Sequence, residues 1–306
     1  MITQVEANSL LELPLAELVS RANRVRKDFI GDRLELCGIV NAKSGLCSED
    51  CKFCAQSSRY SADISVYPLK SKDEIIRAAR KAKEIGAEKF GIVTSGNQPT
   101  DKELEEIARA ISEIKGKIGI VVCASLGALS KHQLKKLKEA GLTRYHHNIE
   151  TSPRFYSQIV TTHAFQERLD TVRAAKAVGL EVCSGGIIGM GETWQDRIEM
   201  ALLLKDLDVD SVPINFLIPI KGTSLGSLET ISCEDAIKTI CIFRIILKGK
   251  VIKIAAGREA ILKDSQAMGF VAGANGMLIG GYLTVKGRDI ESDHELIKEV
   301  KRLWKE

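Results

Sequence analysis

The chain has 306 residues, of which 44% are hydrophobic and 27% are charged, so its composition is that of a globular protein. Its net charge of +4 is too small to indicate nucleic-acid binding, and no apolar run approaches the roughly 18 residues of a membrane-spanning helix. The N-terminus lacks the basic segment and apolar core of a secretory signal. We therefore expect a cytoplasmic protein whose eight cysteines are not paired in disulfides.

Predicted strands and helices alternate along the chain. After an N-terminal helix near residues 8–28, short β-branched or apolar runs predict eight strands, starting near residues 35, 89, 118, 144, 181, 211, 251 and 276. Helical periodicity predicts the intervening and final helices near 72–86, 101–115, 130–140, 164–178, 194–207, 232–248, 259–269 and 293–305. This alternation predicts one (β/α)8 TIM-type barrel domain over 1–306, with an N-terminal helical extension over about 1–30. An open, doubly wound sheet is the alternative.

Three cysteines follow the first predicted strand, in SGLCSEDCKFCAQSSRY at residues 44–60. Cys47, Cys51 and Cys54 have C-x3-C-x2-C spacing, which lets one loop surround one iron–sulfur cluster. Three thiolates bind three irons of a four-iron cluster and leave the fourth iron open, as catalytic zinc keeps an open position. Structural zinc is the alternative. It needs a fourth Cys or His, and the nearest candidate, Cys37, lies in a predicted strand.

This motif resembles the signature of the radical S-adenosylmethionine superfamily, with Phe53 at its aromatic position. The resemblance implies a [4Fe–4S] cluster on the three cysteines, with S-adenosylmethionine bound at the open iron. Reductive cleavage of that cofactor gives a 5′-deoxyadenosyl radical. The resemblance also implies a reducing electron-transfer partner such as flavodoxin or ferredoxin.

Longer segments resemble one family of this superfamily, the biotin synthases. Besides the cysteine loop, the matching segments are RYHHNIETSPRFYSQIVTTHAFQERLDTV at 144–172, EVCSGGIIGMGET at 181–193, SVPINFLIPIKGTSL at 211–225 and KIAAGRE at 253–259. The similarity extends over roughly residues 35–285. It implies a sulfurtransferase that converts the small molecule dethiobiotin to biotin, and it suggests a homodimer.

The resemblance assigns roles to five further residues. Asn148 and Glu150 match positions that hold the ribose hydroxyls of S-adenosylmethionine, although Glu150 stands where the family more often has Asp. Arg168 matches the residue near the methionyl carboxylate, and Ile187, with the GMGET turn that follows, matches the adenine-contacting segment. Asn215 matches a residue that contacts dethiobiotin. The alternatives are a surface ion pair for Arg168 and a buried amide satisfied by the backbone for Asn215.

The sequence departs from the family at a second cluster. The resemblance implies a sulfur-donating [2Fe–2S] cluster deep in the barrel, held by three Cys and one Arg. Cys123 and Cys183 match two of the cysteines, but Gly91 and Lys253 stand at the other two positions, and Cys37 replaces what is often Ser. Predicted strands one, three, five and seven carry Cys37, Cys123, Cys183 and Lys253.

Alternate strands of such a barrel contribute one interior layer of side chains, so these four residues can converge. We predict an auxiliary iron–sulfur cluster, [2Fe–2S] or a variant, held by Cys37, Cys123 and Cys183 with Lys253 beside it. The alternative is that each cysteine is a small buried hydrophobic residue.

The histidines raise the question of the substrate. His146 stands where the family usually has Asn, so we predict that it contacts dethiobiotin or the sugar, or that it marks another substrate. His147 matches a family histidine, whereas His132, His163 and His294 are predicted at the surface. A related radical enzyme, a mutase or a cofactor maturase acting on another small molecule, is therefore the alternative function. A zinc or iron–sulfur scaffold is the alternative outside enzymes.

Overall fold

Parallel strands form a closed barrel in the computed structural model, which describes residues 2–281 and 287–305. The strands are β1 (Glu35–Lys43), β2 (Lys89–Thr94), β3 (Val121–Ser125), β4 (Arg144–His146), β5 (Glu181–Cys183), β6 (Gly186–Ile188), β7 (Ser211–Phe216), β8 (Val251–Ile254) and β9 (Gly276–Leu278). They pair in the order β5-β4-β3-β2-β1-β9-β8-β7-β6, and a β5–β7 contact closes the ring. The predicted barrel is confirmed. Of the predicted domain 1–306, residues 1, 282–286 and 306 lie outside the described residues, as does the end of the similarity at 285.

The fifth predicted strand is interrupted, which gives two short strands, β5 and β6. Cys183 of β5 pairs with Ser211 of β7, and Gly186 of β6 pairs with Ile214 of the same strand. Between them, a Cβ at Gly185 would lie only 2.0 Å from the carbonyl oxygen of Pro213. Only glycine lets the chain pass so close to β7, so the interruption is built into the sequence.

Helices surround the barrel. They are α1 (Gln4–Ser9), α2 (Leu15–Ile30), α3 (Lys72–Glu84), α4 (Asp101–Lys117), α5 (Lys131–Ala140), α6 (Pro153–Ile159), α7 (Phe165–Ala177), α8 (Trp194–Asp206), α9 (Cys233–Leu247), α10 (Arg258–Leu262), α11 (Gln266–Val271) and α12 (Ile290–Leu303). Ser71, Thr100 and Ser130 begin three of them as N-caps, each in a reciprocal capping box. No helix in the described part of the chain is long and apolar enough to cross a membrane.

Two helix predictions need correction, and one helix was not predicted at all. The predicted N-terminal helix is two helices, because Pro14 stands at the start of α2 and has no N–H to continue α1. The helix predicted near 259–269 is divided into α10 and α11 by a 3-10 turn. Helix α6 was not predicted. It begins at Pro153, after the N-cap Ser152, whose hydroxyl accepts a hydrogen bond from the Phe155 N–H.

The apolar core lies between the barrel wall and the helices, not inside the barrel. Successive side chains of a strand point to opposite faces. On β2, Phe90 and Ile92 face outward and are fully buried in the core, whereas Lys89, Gly91 and Val93 line the interior. The interior is thus free to carry polar and reactive groups.

Candidate functional site

A cavity of about 440 Å³ extends from the loops that follow the strands down into the barrel. Its lining contains both predicted cysteine sets, Cys47, Cys51, Cys54, Cys37, Cys123 and Cys183. The other predicted site residues also line it: Phe53, His146, Asn148, Glu150, Arg168, Ile187, Asn215 and Lys253. The structure therefore brings every predicted site residue to one cavity, while the role of each stays a prediction.

The three-cysteine loop after β1 closes on itself through its backbone. The Cys47 N–H donates to the carbonyl of Gln56 (3.0 Å), and the Ser58 N–H donates to the carbonyl of Cys47 (2.7 Å). The Gln56 side chain accepts from the Gly45 N–H (2.9 Å), at a turn where Gly45 and Leu46 have positive φ. These contacts hold the loop so that its three thiols face one cavity.

The thiols of this loop are free, and two of them are strongly desolvated. Burial raises the pKa of Cys54 to about 11 and also raises the pKa of Cys51. Binding of iron removes such protons, because the thiolate is the ligand. Within the described residues, no three His, Cys, Asp or Glu side chains are close enough to share one metal ion. A multi-iron cluster binds each thiolate at a different iron, and this donor set fits such a cluster.

Hydrogen bonds fix the orientation of the side chains just after β4. The Gly185 N–H donates to Asn148 Oδ1 (3.2 Å), and Asn148 Nδ2 donates to Glu150 Oε2 (3.3 Å). Since Asn148 Oδ1 is thus the acceptor, His146 Nε2, at 3.0 Å from it, must donate. His146 therefore carries a proton on Nε2, and its Nδ1 keeps a lone pair when the ring is neutral.

The backbone of β6 passes directly against Glu150, which has a φ of +70°. The Ile187 N–H donates to the Glu150 carbonyl (2.9 Å), and a Cβ at Gly186 would lie 2.2 Å from that same oxygen. In the turn after β6, the Glu192 carboxylate accepts from the Met190 N–H (2.7 Å). Strand β6 is thereby positioned to present Ile187 beside Glu150.

Arg168 is partly buried, and its side chain is only 12% exposed, which rules out the surface ion pair. Its Nε donates to the Tyr156 hydroxyl (2.8 Å), and its Nη1 lies 3.5 Å from Glu150 Oε1. Its Nη2 lies 3.1 Å from His163 Nε2, and a guanidinium can only donate, so His163 Nε2 accepts. His163 Nδ1 then carries the proton and donates to Glu49 Oε2 (2.7 Å).

The prediction that His163 lies at the surface is wrong, because its side chain is 7% exposed and lines the cavity. Glu49, in the cysteine loop, was also not singled out from the sequence. The signal available was that Glu49 lies between two candidate ligands, Cys47 and Cys51. The Glu49–His163–Arg168 chain thus links the cysteine loop to α7.

Two further side chains offer polar atoms to a ligand. His147 Nε2 is buried and has no hydrogen-bond partner among the residues that the structure describes. Burial, together with the positive charge of Arg168, lowers the pKa of His147 well below its usual value, so this imidazole is neutral. Asn215 Nδ2 donates to the Gly186 carbonyl (3.1 Å), and Asn215 Oδ1 accepts from the Ala256 N–H (3.2 Å). One N–H of this amide remains for a ligand.

Comparisons with known proteins agree with this geometry. The model of the radical SAM superfamily matches residues 43–204, and that of the Biotin and Thiamin Synthesis associated domain matches residues 213–301. The biotin synthase of Thermotoga petrophila is 51% identical over 302 residues, which are 98% of this chain and 100% of the relative. The biotin synthase of Thermotoga neapolitana is 56% identical over 272 residues, 89% of this chain and 97% of the relative.

The chain belongs to the biotin synthase family. Solved structures of more distant proteins share its fold. Methylornithine synthase superimposes with a TM-score of 0.84 at 22% identity, covering 97% of this chain and 92% of that one. The FeFe-hydrogenase maturase of Carboxydothermus hydrogenoformans has a TM-score of 0.82 at 20% identity, covering 97% and 74%. At such identities the likeness shows the barrel fold alone.

This member of the biotin synthase family has three thiols and an amine deep in its cavity. Cys37, Cys123, Cys183 and Lys253 line this cavity, and the positive charge of Lys253 opposes the effect of burial on the pKa of each thiol. Burial raises the pKa of Cys123 to about 12. Burial alone would also raise the pKa of Cys183, but Lys253 and His146 outweigh it and lower the pKa to about 6. The four side chains thus lie at one cavity, and their arrangement as a single layer that holds a cluster stays a prediction.

Gly91 occupies the position at which the family resemblance implies a third cysteine of the auxiliary cluster. It pairs with Ile39 of β1 and with Cys123 of β3. A Cβ at Gly91 would lie 3.1 Å from Ile39 Cγ2, so Ile39 restricts the space that a side chain at position 91 needs. The thiol on β1, Cys37, is two residues before Ile39 on the same face of the strand.

A buried charge cluster, formed by Glu35, Lys89, Arg144, Glu181 and Lys253, was not predicted as a unit. Glu35 is fully buried, and its carboxylate meets Arg144 Nη1 (2.6 Å), Lys253 Nζ (2.9 Å) and Lys89 Nζ (3.3 Å). Glu181 Oε2 meets Arg144 Nε (2.8 Å) and Lys89 Nζ (3.2 Å). Burial alone would raise the pKa of Glu35, but its three cationic partners hold that pKa well below the usual value. The available signal was a charged residue at the first position of β1, β2, β4 and β5, together with Lys253 within the otherwise apolar β8.

Proposed function

We propose that the protein is a biotin synthase that inserts sulfur into dethiobiotin by S-adenosylmethionine-dependent radical chemistry. The observation that carries this proposal is one barrel cavity that joins the superfamily's three-cysteine loop to a second set of three thiols. When bound, the [4Fe–4S] cluster and S-adenosylmethionine supply the hydrogen-abstracting radical, and the auxiliary cluster supplies the sulfur. Family membership at 51% identity over nearly the whole chain supports the same reaction.

The residues around the cysteine loop would hold the first cluster and its cofactor. Cys47, Cys51 and Cys54 would be the cluster ligands, and Phe53 would pack beside them. Asn148 and Glu150 present oriented amide and carboxylate groups for the ribose hydroxyls, since a carboxylate accepts well from hydroxyl donors. Arg168 would donate to the methionyl carboxylate, and Ile187 would contact the adenine.

The part of the cavity that holds the substrate would be lined by His146, Asn215 and His147. Asn215 is anchored by two backbone contacts and retains one N–H. His146 is bound to Asn148 on one side and contacts Cys183 on the other, so it lies between the cofactor residues and the deep thiols. We propose that the substrate occupies the part of the cavity between the cofactor residues and the deep thiols, where His147 Nε2 has no hydrogen-bond partner among the described residues.

Cys37, Cys123 and Cys183 would hold the auxiliary cluster, either [2Fe–2S] or a variant of it. Lys253 would lie beside the cluster as a charge and not as a ligand. Its amine is paired with Glu35, and a protonated amine has no lone pair for iron. Iron and sulfide analysis with Mössbauer spectra of anaerobic protein tests the ligand set. A single four-iron cluster per chain, unchanged in Cys37→Ser, would end this part of the proposal.

We further propose that the enzyme works in the cytoplasm as a homodimer and receives electrons from flavodoxin or ferredoxin, without a nucleic-acid or membrane partner. The small net charge and the family membership support this setting. Sedimentation of the anaerobic holoenzyme measures the oligomeric state.

The decisive experiment is anaerobic incubation of the reconstituted protein with dethiobiotin, a reductant and S-adenosylmethionine. We expect biotin, methionine and 5′-deoxyadenosine. Deoxyadenosine without biotin would favour a related radical enzyme that acts on another small molecule. No cleavage of S-adenosylmethionine would favour a scaffold protein.

A further inference from the structure

We propose that the charge cluster is the floor of the auxiliary-cluster site and sets the charge that the iron–sulfur cluster experiences. Glu35 is the positioning residue of this floor, because it holds the side chain of Arg144 beneath the thiols and the ammonium of Lys253 beside them. This inference rests on the proposed auxiliary cluster and goes beyond its ligand set.

Strand geometry places both carboxylates of the floor one layer below the thiols, whereas Lys253 belongs to the predicted layer of the thiols and reaches down to Glu35. Glu35 precedes Cys37 by two residues on β1, and Glu181 precedes Cys183 by two residues on β5. Side chains two residues apart on a strand point to the same face, about 6–7 Å apart along it. Both carboxylates therefore point into the barrel, nearer the amino ends of the strands than the thiols.

The contacts fix the cations as well as the carboxylates. Glu35 uses both oxygens, since Arg144 and Lys253 meet Oε1 and Lys89 meets Oε2. Cys37 Sγ lies 3.8 Å from the same Glu35 oxygen that Lys253 meets, and the positive charge of Lys253 opposes the effect of burial on the pKa of Cys37. Gly276 leaves room for the stem of Lys253, because a Cβ there would lie 2.8 Å from Lys253 Cγ. The ammonium of Lys253 is therefore held between carboxylate and thiol.

The floor has a definite net charge. It contains three cations and two carboxylates, so it carries one net positive charge beneath ligands that become thiolates when they bind iron. Lys89, Arg144, Lys253 and Glu35 are all at least nine-tenths buried, where water screens charge poorly. The potential of an iron–sulfur cluster depends on net charge and on hydrogen bonds to its sulfur ligands. The net positive charge of the floor thus favours the reduced state of the auxiliary cluster and raises its midpoint potential.

Two substitutions of opposite charge test the floor. Glu35→Gln removes a negative charge from the floor. Lys89→Gln removes a positive charge, that of the ammonium that pairs with both Glu35 and Glu181. We expect the midpoint potential of the auxiliary cluster to rise in Glu35→Gln and to fall in Lys89→Gln, measured by redox titration with Mössbauer detection. The [4Fe–4S] cluster of the same molecule is the internal control, and its potential should shift less in both variants.

The matched controls are Glu105→Gln and Lys136→Gln, which break an ion pair on the helix surface (3.1 Å). These should leave both potentials unchanged. If Glu35→Gln fails to fold, Glu181→Gln replaces it and should raise the potential, since Glu181 is partly exposed and meets the same cations. If the midpoint potential of the auxiliary cluster moved in the same direction in Glu35→Gln and Lys89→Gln, or did not move, the proposed role of the charge cluster would be wrong. The proposed reaction would not be affected by that result. Protein that holds no auxiliary iron would overturn the cluster and the floor together.

Discussion

Arg168 is held by hydrogen-bond partners on several sides, which gives its guanidinium one orientation in the cavity. Nε meets Tyr156, Nη1 meets the carbonyl of Asn148 (3.0 Å), and Nη2 meets His163. A Lys at this position would keep the charge but lose the fork that makes these contacts together. The position is therefore specific for Arg, and not for positive charge in general.

We expect Arg168→Lys to weaken binding of S-adenosylmethionine about 10- to 100-fold, since a hydrogen bond to a charged group is worth about 1.5–3 kcal/mol. Titration calorimetry of the anaerobic [4Fe–4S] protein measures the affinity. The control is Arg173→Lys on the same helix, at a side chain that is 57% exposed. Equal effects of the two substitutions would contradict the role of Arg168.

Gly91 allows a second test at the residue scale. Gly91→Cys, which introduces the cysteine that the resemblance implies, should destabilise the protein by about 1–3 kcal/mol, because the new Cβ would lie 3.1 Å from Ile39 Cγ2 and overpacking costs about that much. Urea unfolding of the variant measures the loss. Ile39→Ala removes the Cγ2 methyl, so the double variant Gly91→Cys, Ile39→Ala should lose less stability than the two single variants added together. A Gly91→Cys variant as stable as the parent would show that the space beside Ile39 is larger than the structure indicates.

At the scale of elements, β6 is positioned by a close backbone approach. The sequence predicted one strand over this region, because β-branched residues on both sides of SGG form one apolar run. The interruption depends on Pro213 and Glu150, which are distant in the chain, so local propensity carried no signal for it. Helix α6 escaped prediction for a similar reason, since seven residues are too few for a clear helical period.

We expect Gly186→Ala to destabilise the barrel and to weaken cofactor binding, because its Cβ would lie 2.2 Å from the Glu150 carbonyl oxygen. The cost should be at least about 1–3 kcal/mol, the range for an overpacked site. Gly116→Ala in α4 is the matched control, since a Cβ there meets nothing within 4 Å. It should stabilise by up to about 1 kcal/mol. Urea unfolding midpoints should therefore move in opposite directions.

At the scale of the whole molecule, a buried ion pair fastens the C-terminal helix to the barrel. Arg258, at the start of α10, donates through Nη2 to Asp293 Oδ1 of α12 (2.6 Å), and both side chains are at most 2% exposed. Helix α12 follows β9, the strand that pairs with β1 and β8. The pair therefore connects the last helix to the end of β8.

We expect Asp293→Ala to lower the free energy of unfolding by up to about 3–5 kcal/mol, since the buried Arg258 charge loses its shorter ion pair and keeps the longer one with Glu259 (3.3 Å). Chemical denaturation followed by circular dichroism measures the change. Glu291→Ala, at an exposed position of the same helix, should change stability by less than about 0.5 kcal/mol. A loss of similar size in both variants would show that helix propensity, and not the pair, is responsible.

The alternation of strands and helices was predictable because each unit carries its own local period, and the three-cysteine loop was predictable because its ligands are adjacent in sequence. The layer of Cys37, Cys123 and Cys183 was predictable only from the strand count and the family resemblance together. The partners of Glu35 and the inward position of His163 were not predictable. They depend on the twist of the barrel and on side chains from distant strands, which no local pattern encodes.

The location of the apolar core outside the barrel has a consequence for how such a protein can change. Stability comes mainly from the contact between the wall and its surrounding helices, so residues in the lumen are under weaker constraint from folding. A cysteine ligand absent from one strand can then be supplied by a neighbouring strand, provided that the charge and volume of the interior remain balanced. Ligand exchange of this kind alters the chemistry of the lumen without redesign of the scaffold.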